Sequence, residues 1–445
     1  MAGAAREQWS SRTGFVLAAV GSAVGLGNMW RFSYLAAENG GAAFVVLYLA
    51  VTLLVGLPVL LAELAIGRGA QRSPIRALVH FGGTRWKPLG ALFVAAGFLI
   101  LSYYAVIAGW TVRYALMAVA GDFEGDVAAR FGAISEGWDS FGFHVLFMAA
   151  TIGVVAGGVK GGIERTALVL MPTLFAIVVG LAIYASTLHG GAEGYRVYLS
   201  PDPAKLFHWS VLKDAAGQAF FSLSLGMGAM LTFASYLGSD HHLPNESLTI
   251  AGADVAVAFV AGLVVFPLIF ALGLSDAVSG STVGALFITL PRAFAEMGGV
   301  GRLVGTLFFA ALLVGALTSA ISLLEVVVSS AIDGLGWTRR RAAVVAGAAI
   351  TLLGAPSAMS TDVLGVVDQV ANNLFLLGGG LALSIFVGWV MVDPLAEVRR
   401  GAEGVRWFFL WRTLLRFAVP VFLVFVLWFA VPETFRAVAG LFTGQ

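Results

Sequence analysis

Cysteine is absent from the 445 residues, which excludes disulfide scaffolds, iron–sulfur clusters and thiolate zinc sites. Charge is scarce. Asp, Glu, Lys and Arg make up 11% of the chain, less than half the share of roughly 25% in an average soluble domain. A net charge of +1 offers no basic field for nucleic acid. The six histidines, His80, His144, His189, His208, His241 and His242, form no HExxH and no intraspan pair that would hold haem. With no visible nucleophile–histidine–acid set, an enzyme is disfavoured. Met1 to Gln8 is short and polar, and the apolar run after Arg12 ends without a small-residue cleavage site, so no signal peptide is expected.

Apolar residues, by contrast, make up 59% of the chain, and mean hydropathy is +0.92. A water-facing surface does not tolerate that composition, so an all-α integral membrane protein is expected. Apolar stretches fall at 14–37, 42–67, 89–119, 141–158, 164–188, 215–238, 248–273, 301–332, 342–354, 366–391 and 408–431. A bilayer crossing needs about 20 residues, so these are eleven spans, the ninth unusually short. Arg68, Arg72, Arg76, Arg85, Lys87, Lys160, Arg165, Arg339, Arg340, Arg341, Arg399, Arg400 and Arg406 all fall in loops on one side. Asp122, Glu124, Asp126, Glu136 and Asp139 fall on the other. This cation bias puts the N-terminus in the cytoplasm and, with an odd span count, the C-terminus outside the cell (inner) membrane. In the loop 274–300, apolar Ala285 to Leu290 lies between glycines and Pro291 and could dip back as a lid; the loop 190–213 is also more than a connector.

Spans 1 and 6 carry matched interruptions. Span 1 contains Gly21-Ser22-Ala23-Val24-Gly25-Leu26-Gly27-Asn28, and span 6 contains Phe221-Ser222-Leu223-Ser224-Leu225-Gly226-Met227-Gly228. Glycine costs about 1 kcal/mol in a helix interior, and unsatisfied backbone in lipid costs several more per group. Such breaks persist where freed carbonyls meet cations and freed N–H groups meet an anion. Gly-X-Gly also marks close helix packing. Two instances five spans apart, however, fit inverted repeats at 12–189 and 213–392, with span 11 at 406–432, in a single transporter domain 1–445.

Five stretches carry a resemblance: Arg6-Glu7-Gln8-Trp9 with Arg12; Gly21 to Arg31-Phe32; Glu38-Asn39-Gly40-Gly41; Gly217-Gln218-Ala219-Phe220-Phe221-Ser222-Leu223-Ser224-Leu225-Gly226; and Gly315-Ala316-Leu317-Thr318-Ser319. They resemble the neurotransmitter:sodium symporter family, in particular bacterial eleven-span members that carry leucine or several hydrophobic amino acids. The resemblance implies the leucine-transporter fold with broken spans 1 and 6, alternating access, and symport of an amino acid with two sodium ions. One sodium site would use the Ala23 carbonyl, Asn28, Ser222 and Asn245 with the substrate carboxylate; Ser222 stands where the family often has Thr. The other would use the Gly21, Val24 and Gly315 carbonyls with Thr318 and Ser319. Neutral oxygens suit a hard monovalent cation, although these two hydroxyls could equally bond back to their own helix. The substrate carboxylate would meet the N–H groups of Leu26 and Gly27 and the Tyr104 hydroxyl, and its ammonium the carbonyls of Ala23, Phe221 and Ser222. Its side chain would meet Ile100, Tyr104, Phe221, Ser224, Met227, Ser319 and Leu323. A charged side chain would be stranded there at a cost of several kcal/mol. A hydrophobic L-amino acid is therefore expected, with adaptable Met227 favouring broad or aromatic specificity.

The same resemblance implies an outer gate of Arg31 and Asp368, paired directly or through water, closing with Tyr104 and Phe221. It implies an inner gate of Arg6 and Asp333, backed by Trp9, Ser235 and Tyr236. Static interfacial pairs are the bland alternative. Glu63 matches a glutamate that braces broken span 1. Glu325, for which Arg113 or solvent is the expected partner, and Asp254 have no assigned role. Gly162 and Pro172 match a Gly-X9-Pro stretch that unwinds in related carriers; Pro172 cannot donate its backbone bond. Thr249 stands where many bacterial relatives hold a carboxylate. Asn245 shares its helix face, and with Tyr48, Gln218 and Ser222 the two would form a neutral cage for chloride, balancing the second sodium. Glu246 or another acid could supply that charge instead. Rival readings are a proton-coupled carrier of the same fold and an ion channel. The expected partners are a small-molecule amino acid and the lipid bilayer, with no nucleic acid; the oligomeric state, exact amino acid and stoichiometry stay open.

Overall fold

The computed structural model describes residues 6–123, 125–201, 204–238, 241–274, 285–402 and 407–443, and every regular element among them is helical. Nine of those helices are long and apolar enough to cross a membrane: Ala42–Ala70, Thr84–Ala120, Gly137–Ala156, Val159–Ser186, Leu243–Ala271, Gly298–Leu335, Arg339–Met359, Thr361–Val390 and Phe408–Leu441. They are spans 2–5 and 7–11. Span 9 outgrows its apolar run because its helix starts at Arg339, capped by Thr338, and continues through Pro356; cations are tolerated where a span meets water.

Spans 1 and 6 are the two broken ones. Span 1 runs as Arg12–Ala23 and then, after a bend of 57°, as Gly27–Glu38. Its first half ends at Val24, whose backbone is extended. Span 6 runs as Trp209–Ser222 and Ala229–Ala234. It stops because Ser224, Gly226 and Gly228 take left-handed φ values of 54°, 75° and 72°, which cannot propagate a right-handed helix. Gly226 is also a point of close approach. A Cβ there would stand 2.3 Å from the Leu376 carbonyl oxygen of span 10.

Span 8 lies along span 3, and spans 4 and 9 pack on that pair. Both halves of span 6 pack on span 2, and span 1 packs on span 7. The two breaks thus face spans 3 and 8 in the middle of the molecule. In the long loops, the helix Ala192–Leu199 stacks Tyr198 on Phe266, with ring centroids 4.7 Å apart. Of the expected lid, 275–284 lies outside the described residues. Phe287 beyond it sits among the rings of Trp110, Tyr114 and Phe131, sealing the end of span 3 that bears the acidic loops.

Gly226→Ala is expected to cost more than about 2 kcal/mol, from left-handed strain plus the clash with Leu376, and to lower the thermal midpoint of the detergent-purified protein. Gly252→Ala, on a span 7 face where a Cβ meets nothing within 4 Å, serves as the control and should leave the midpoint unchanged or raise it.

Candidate functional site

Breaking two helices frees backbone groups, and the surrounding side chains take them up. Buried Glu63 of span 2 accepts from the Gly226 N–H at 2.8 Å and from the Leu231 N–H at 3.2 Å. It therefore braces span 6, not span 1: Gly226 lies in the left-handed stretch and Leu231 in the first turn of Ala229–Ala234, where N–H groups lack a partner within the helix. Gln218 Nε2 donates to the Gly27 carbonyl at 2.9 Å, and the Leu26 N–H donates to the Tyr104 hydroxyl at 3.3 Å. Ser224 Oγ crosses from one break to the other, donating to the Ser22 carbonyl at 2.8 Å.

A cavity of about 20 Å³ lies between the breaks, lined by Ala23, Gly27, Ile100, Tyr104, Phe221, Ser222, Ser224, Met227, Ser319 and Leu323, with Ser22 and Gly25. These are the residues the sequence picks for substrate, except Leu26. That residue lines a neighbouring vestibule of about 90 Å³ with Arg31, Tyr103 and Asp368. The inner cavity holds about one water, so a molecule the size of an amino acid would enter only if its walls moved apart.

Two clusters of oxygen flank the cavity. Between spans 1 and 8, Ser319 Oγ donates to the Gly21 and Ser22 carbonyls, both at 3.3 Å. Thr318 bonds back to the Val314 and Gly315 carbonyls, both at 3.1 Å. A Cβ on Gly315 would stand 3.4 Å from the Val24 oxygen, so Gly21, Val24, Gly315, Thr318 and Ser319 are brought together.

In the second cluster, Asn28 Nδ2 reaches Ser222 Oγ at 2.9 Å, but Asn245 and Thr249 are not there. Asn245 is exposed on the first turn of span 7, and exposed Thr249 bonds back to its carbonyl at 2.8 Å. Nine residues on, about 13 Å along the helix, buried Asp254 takes their place. Its Oδ1 accepts from Asn28 Nδ2 at 2.6 Å and from Ser222 Oγ at 2.8 Å, and its Oδ2 accepts from the Tyr48 hydroxyl at 2.9 Å. Tyr48 and Ser222 thus converge on a carboxylate of the chain itself, which corrects the expected chloride cage; Gln218 is engaged with Gly27. Glu246 is held by Arg12 Nε at 2.7 Å at the arginine-rich end of span 7, nowhere near this cluster. The signal for Asp254 was present in the sequence as an acid in the middle of an apolar span.

The two expected gate pairs are arranged differently. On the arginine-rich side, Arg6 Nη1 meets both Asp333 oxygens at 3.0 and 3.2 Å, Nη2 donates to Ser235 Oγ at 2.8 Å, and the guanidinium lies 4.7 Å over the Tyr236 ring. Trp9 Nε1 donates to the Phe233 carbonyl at 2.9 Å. Glu325 sits beneath. Fully buried, it accepts from Tyr236 at 2.5 Å and from both terminal nitrogens of Arg339 at 2.7 and 3.1 Å. Arg113, its expected partner, instead faces Asp139 at 3.6 Å. Gly162 lies in a π-turn, Val159–Glu164, that opens span 5, and Pro172 sits inside the helix that follows. On the opposite side, Arg31 lies 5.0 Å over the Phe221 ring and reaches Asp368 through Asn372. Arg31 Nη1 donates to Asn372 Oδ1 at 3.0 Å, and Asn372 Nδ2 donates to Asp368 Oδ1 at 2.7 Å. Neither a direct pair nor a water is needed.

The family model described as the sodium:neurotransmitter symporter family matches residues 6–124 and 132–438. An uncharacterized sodium-dependent transporter of Bacillus subtilis, YhdH, is 36% identical over 443 residues, covering 94% of this chain and 96% of its own. A second such transporter, from Methanocaldococcus jannaschii, is 33% identical, covering 95% and 89%. Among solved structures, MhsT in complex with L-phenylalanine superposes with a TM-score of 0.88 at 44% identity, over 96% of this chain and 100% of that one.

Glu325→Gln is expected to take from the Arg339 guanidinium its buried carboxylate and leave it only the exposed Glu7 at 3.1 Å, a loss of about 1–3 kcal/mol read as a lowered thermal midpoint. The double variant Glu325→Gln, Arg339→Met should recover part of that loss. Equal midpoints for the single and double variants would contradict the pairing.

Proposed function

The chain belongs to the sodium:neurotransmitter symporter family and is a multi-pass, sodium-dependent transporter of leucine-transporter fold rather than an enzyme; from that premise we propose that it carries hydrophobic L-amino acids, aromatic ones included, together with two sodium ions. The observation that carries this reading is the uncharged cavity held between two broken helices. Its polar groups are of the kind that meet an α-amino acid backbone, and its other walls are Ile100, Phe221, Met227 and Leu323. A charged side chain would find no partner there.

In this reading the ions sit in the two oxygen clusters. The Ser319 and Thr318 hydroxyls donate to helix carbonyls and keep their own lone pairs for a cation, since a hydroxyl both donates and accepts. The Gly21, Val24 and Gly315 carbonyls complete that set. The other ion takes the Ala23 carbonyl, Asn28, Ser222 and the substrate carboxylate. Asp254 beside it supplies negative charge from within the chain, so chloride is not needed. The arginine-rich loops face the cytoplasm, which makes Arg6–Asp333 the inner gate and Arg31–Asn372–Asp368 the outer one. The energetics suffice. A tenfold sodium gradient gives about 1.4 kcal/mol per ion and 100 mV about 2.3 per charge. Two ions supply roughly 7 kcal/mol, equivalent to about 10⁵-fold accumulation of a zwitterion.

Uptake of L-phenylalanine or L-leucine into proteoliposomes is expected to require an inward sodium gradient and to be unchanged when gluconate replaces chloride. A pH step without sodium should not drive it. Ser222→Ala and Thr318→Ala should each raise the sodium concentration for half-maximal uptake by about tenfold. Sodium current independent of any amino acid, or uptake driven equally well by protons, would overturn the assignment, and loss of uptake in gluconate would overturn the role of Asp254.

A further inference from the structure

The outer gate contains a neutral residue that joins its two charges, and the same turn of helix ties that residue to span 11. Span 10 is not a regular helix where it passes the gate, because Ala371–Leu376 forms a π-turn. Such turns add a residue locally and re-aim side chains, often at functional places. Two consecutive asparagines in this turn point in different directions. Asn372, almost wholly buried, stands between Arg31 and Asp368. Chemistry fixes its orientation. A guanidinium can only donate, so the amide oxygen must face Arg31, and the amide NH₂ is then left for the carboxylate. That NH₂ also donates to the Asp368 main-chain carbonyl at 2.9 Å.

Asn373 turns the other way. Its Nδ2 donates to Thr434 Oγ1 of span 11 at 3.0 Å, and buried Thr434 is anchored in turn on the Ala430 carbonyl at 2.9 Å. The far end of the π-turn rests on the break in span 6, where the Leu376 carbonyl presses on Gly226. The same end of span 11 also grips the first half of span 6. Lys213 Nζ pairs with Glu433 at 2.7 Å, and Trp209 stacks on Phe429 with centroids 4.4 Å apart.

We infer that Asn372 is a positioning residue that closes the outer gate by relaying Arg31 to Asp368, and that Asn373 with Thr434 makes span 11 the strut that holds it in place. This rests on the transport reading above. A relay of two hydrogen bonds through an amide closes the gate without bringing the two charges into contact. It also makes closure depend on the rotation of span 10, which span 11 fixes. Span 11, outside the paired-repeat pattern, thereby acquires a role in the transport cycle.

The chain has no cysteine, so Gly365→Cys supplies a single reporter thiol. Gly365 lines the vestibule, and a Cβ there meets nothing within 4 Å. In this parent, sodium plus L-phenylalanine is expected to slow labelling by a membrane-impermeant maleimide. Adding Asn372→Ala should abolish most of that protection and speed labelling about tenfold, the effect of losing a charge-assisted hydrogen bond, with the thermal midpoint retained. Asn372→Gln should restore part of the protection, and Thr434→Val should shift labelling in the same direction as Asn372→Ala by a smaller factor. Unchanged protection in Asn372→Ala would overturn the relay, and unchanged protection in Thr434→Val would overturn the strut. A parent that sodium and amino acid fail to protect would overturn the transport reading itself.

Discussion

In the interior of a membrane an unpaired N–H or C=O costs several kcal/mol, and this chain interrupts two helices there. Everything around the breaks answers that constraint. Glu63 takes two N–H groups of span 6, Tyr104 and Gln218 take a donor and an acceptor of span 1, and Ser224 and Ser319 tie the breaks to one another and to span 8. These bonds come from side chains that can rearrange, and in the proposed function the carbonyls they hold then turn to a cation. On that proposal, the cost of breaking the helices and the capacity to bind ions are two sides of one arrangement.

Charge is distributed according to the same logic. Asp254 joins span 7 to spans 1, 2 and 6 through Asn28, Tyr48 and Ser222, and every one of its side-chain contacts is a donor, the set that an ionised carboxylate needs. In the proposed function this carboxylate, next to neutral carbonyl and hydroxyl oxygens, makes the midplane favourable for a monovalent cation. At the arginine-rich end the acids Asp333 and Glu325 are locked to Arg6 and Arg339; at the other end the closure is an amide relay. The first is a stack of ion pairs with a buried member and the second a pair of hydrogen bonds, so the two ends differ in what must be broken to open them.

Much of this was legible from residue order. The breaks were readable because glycine and small polar residues recur at mid-span in two places five spans apart. The cavity lining and the Arg6–Asp333 pair were implied by the family resemblance, not by the spacing of the breaks. Span 7 differs from the expectation because an apolar run gives a helix without its depth. Asn245 and Thr249 share a face, but the helix begins at Leu243, which leaves them at its exposed end and carries Asp254 to the middle. Glu325 and Arg339 are joined across the turn that follows Leu335, and Asn372 reaches the gate only because of a π-turn; neither return of the chain has a local signature. Glu63 matches a brace by resemblance, but which break it serves depends on where the freed N–H groups of Gly226 and Leu231 point.

The most direct measurement is equilibrium binding of L-phenylalanine to the purified protein as sodium is varied against choline at constant ionic strength. Two alkali ions held beside the zwitterion by the opposed breaks predict saturable binding in sodium, none in choline alone, and an affinity that rises with nearly the second power of sodium concentration. Equal affinity in choline and sodium would contradict the account.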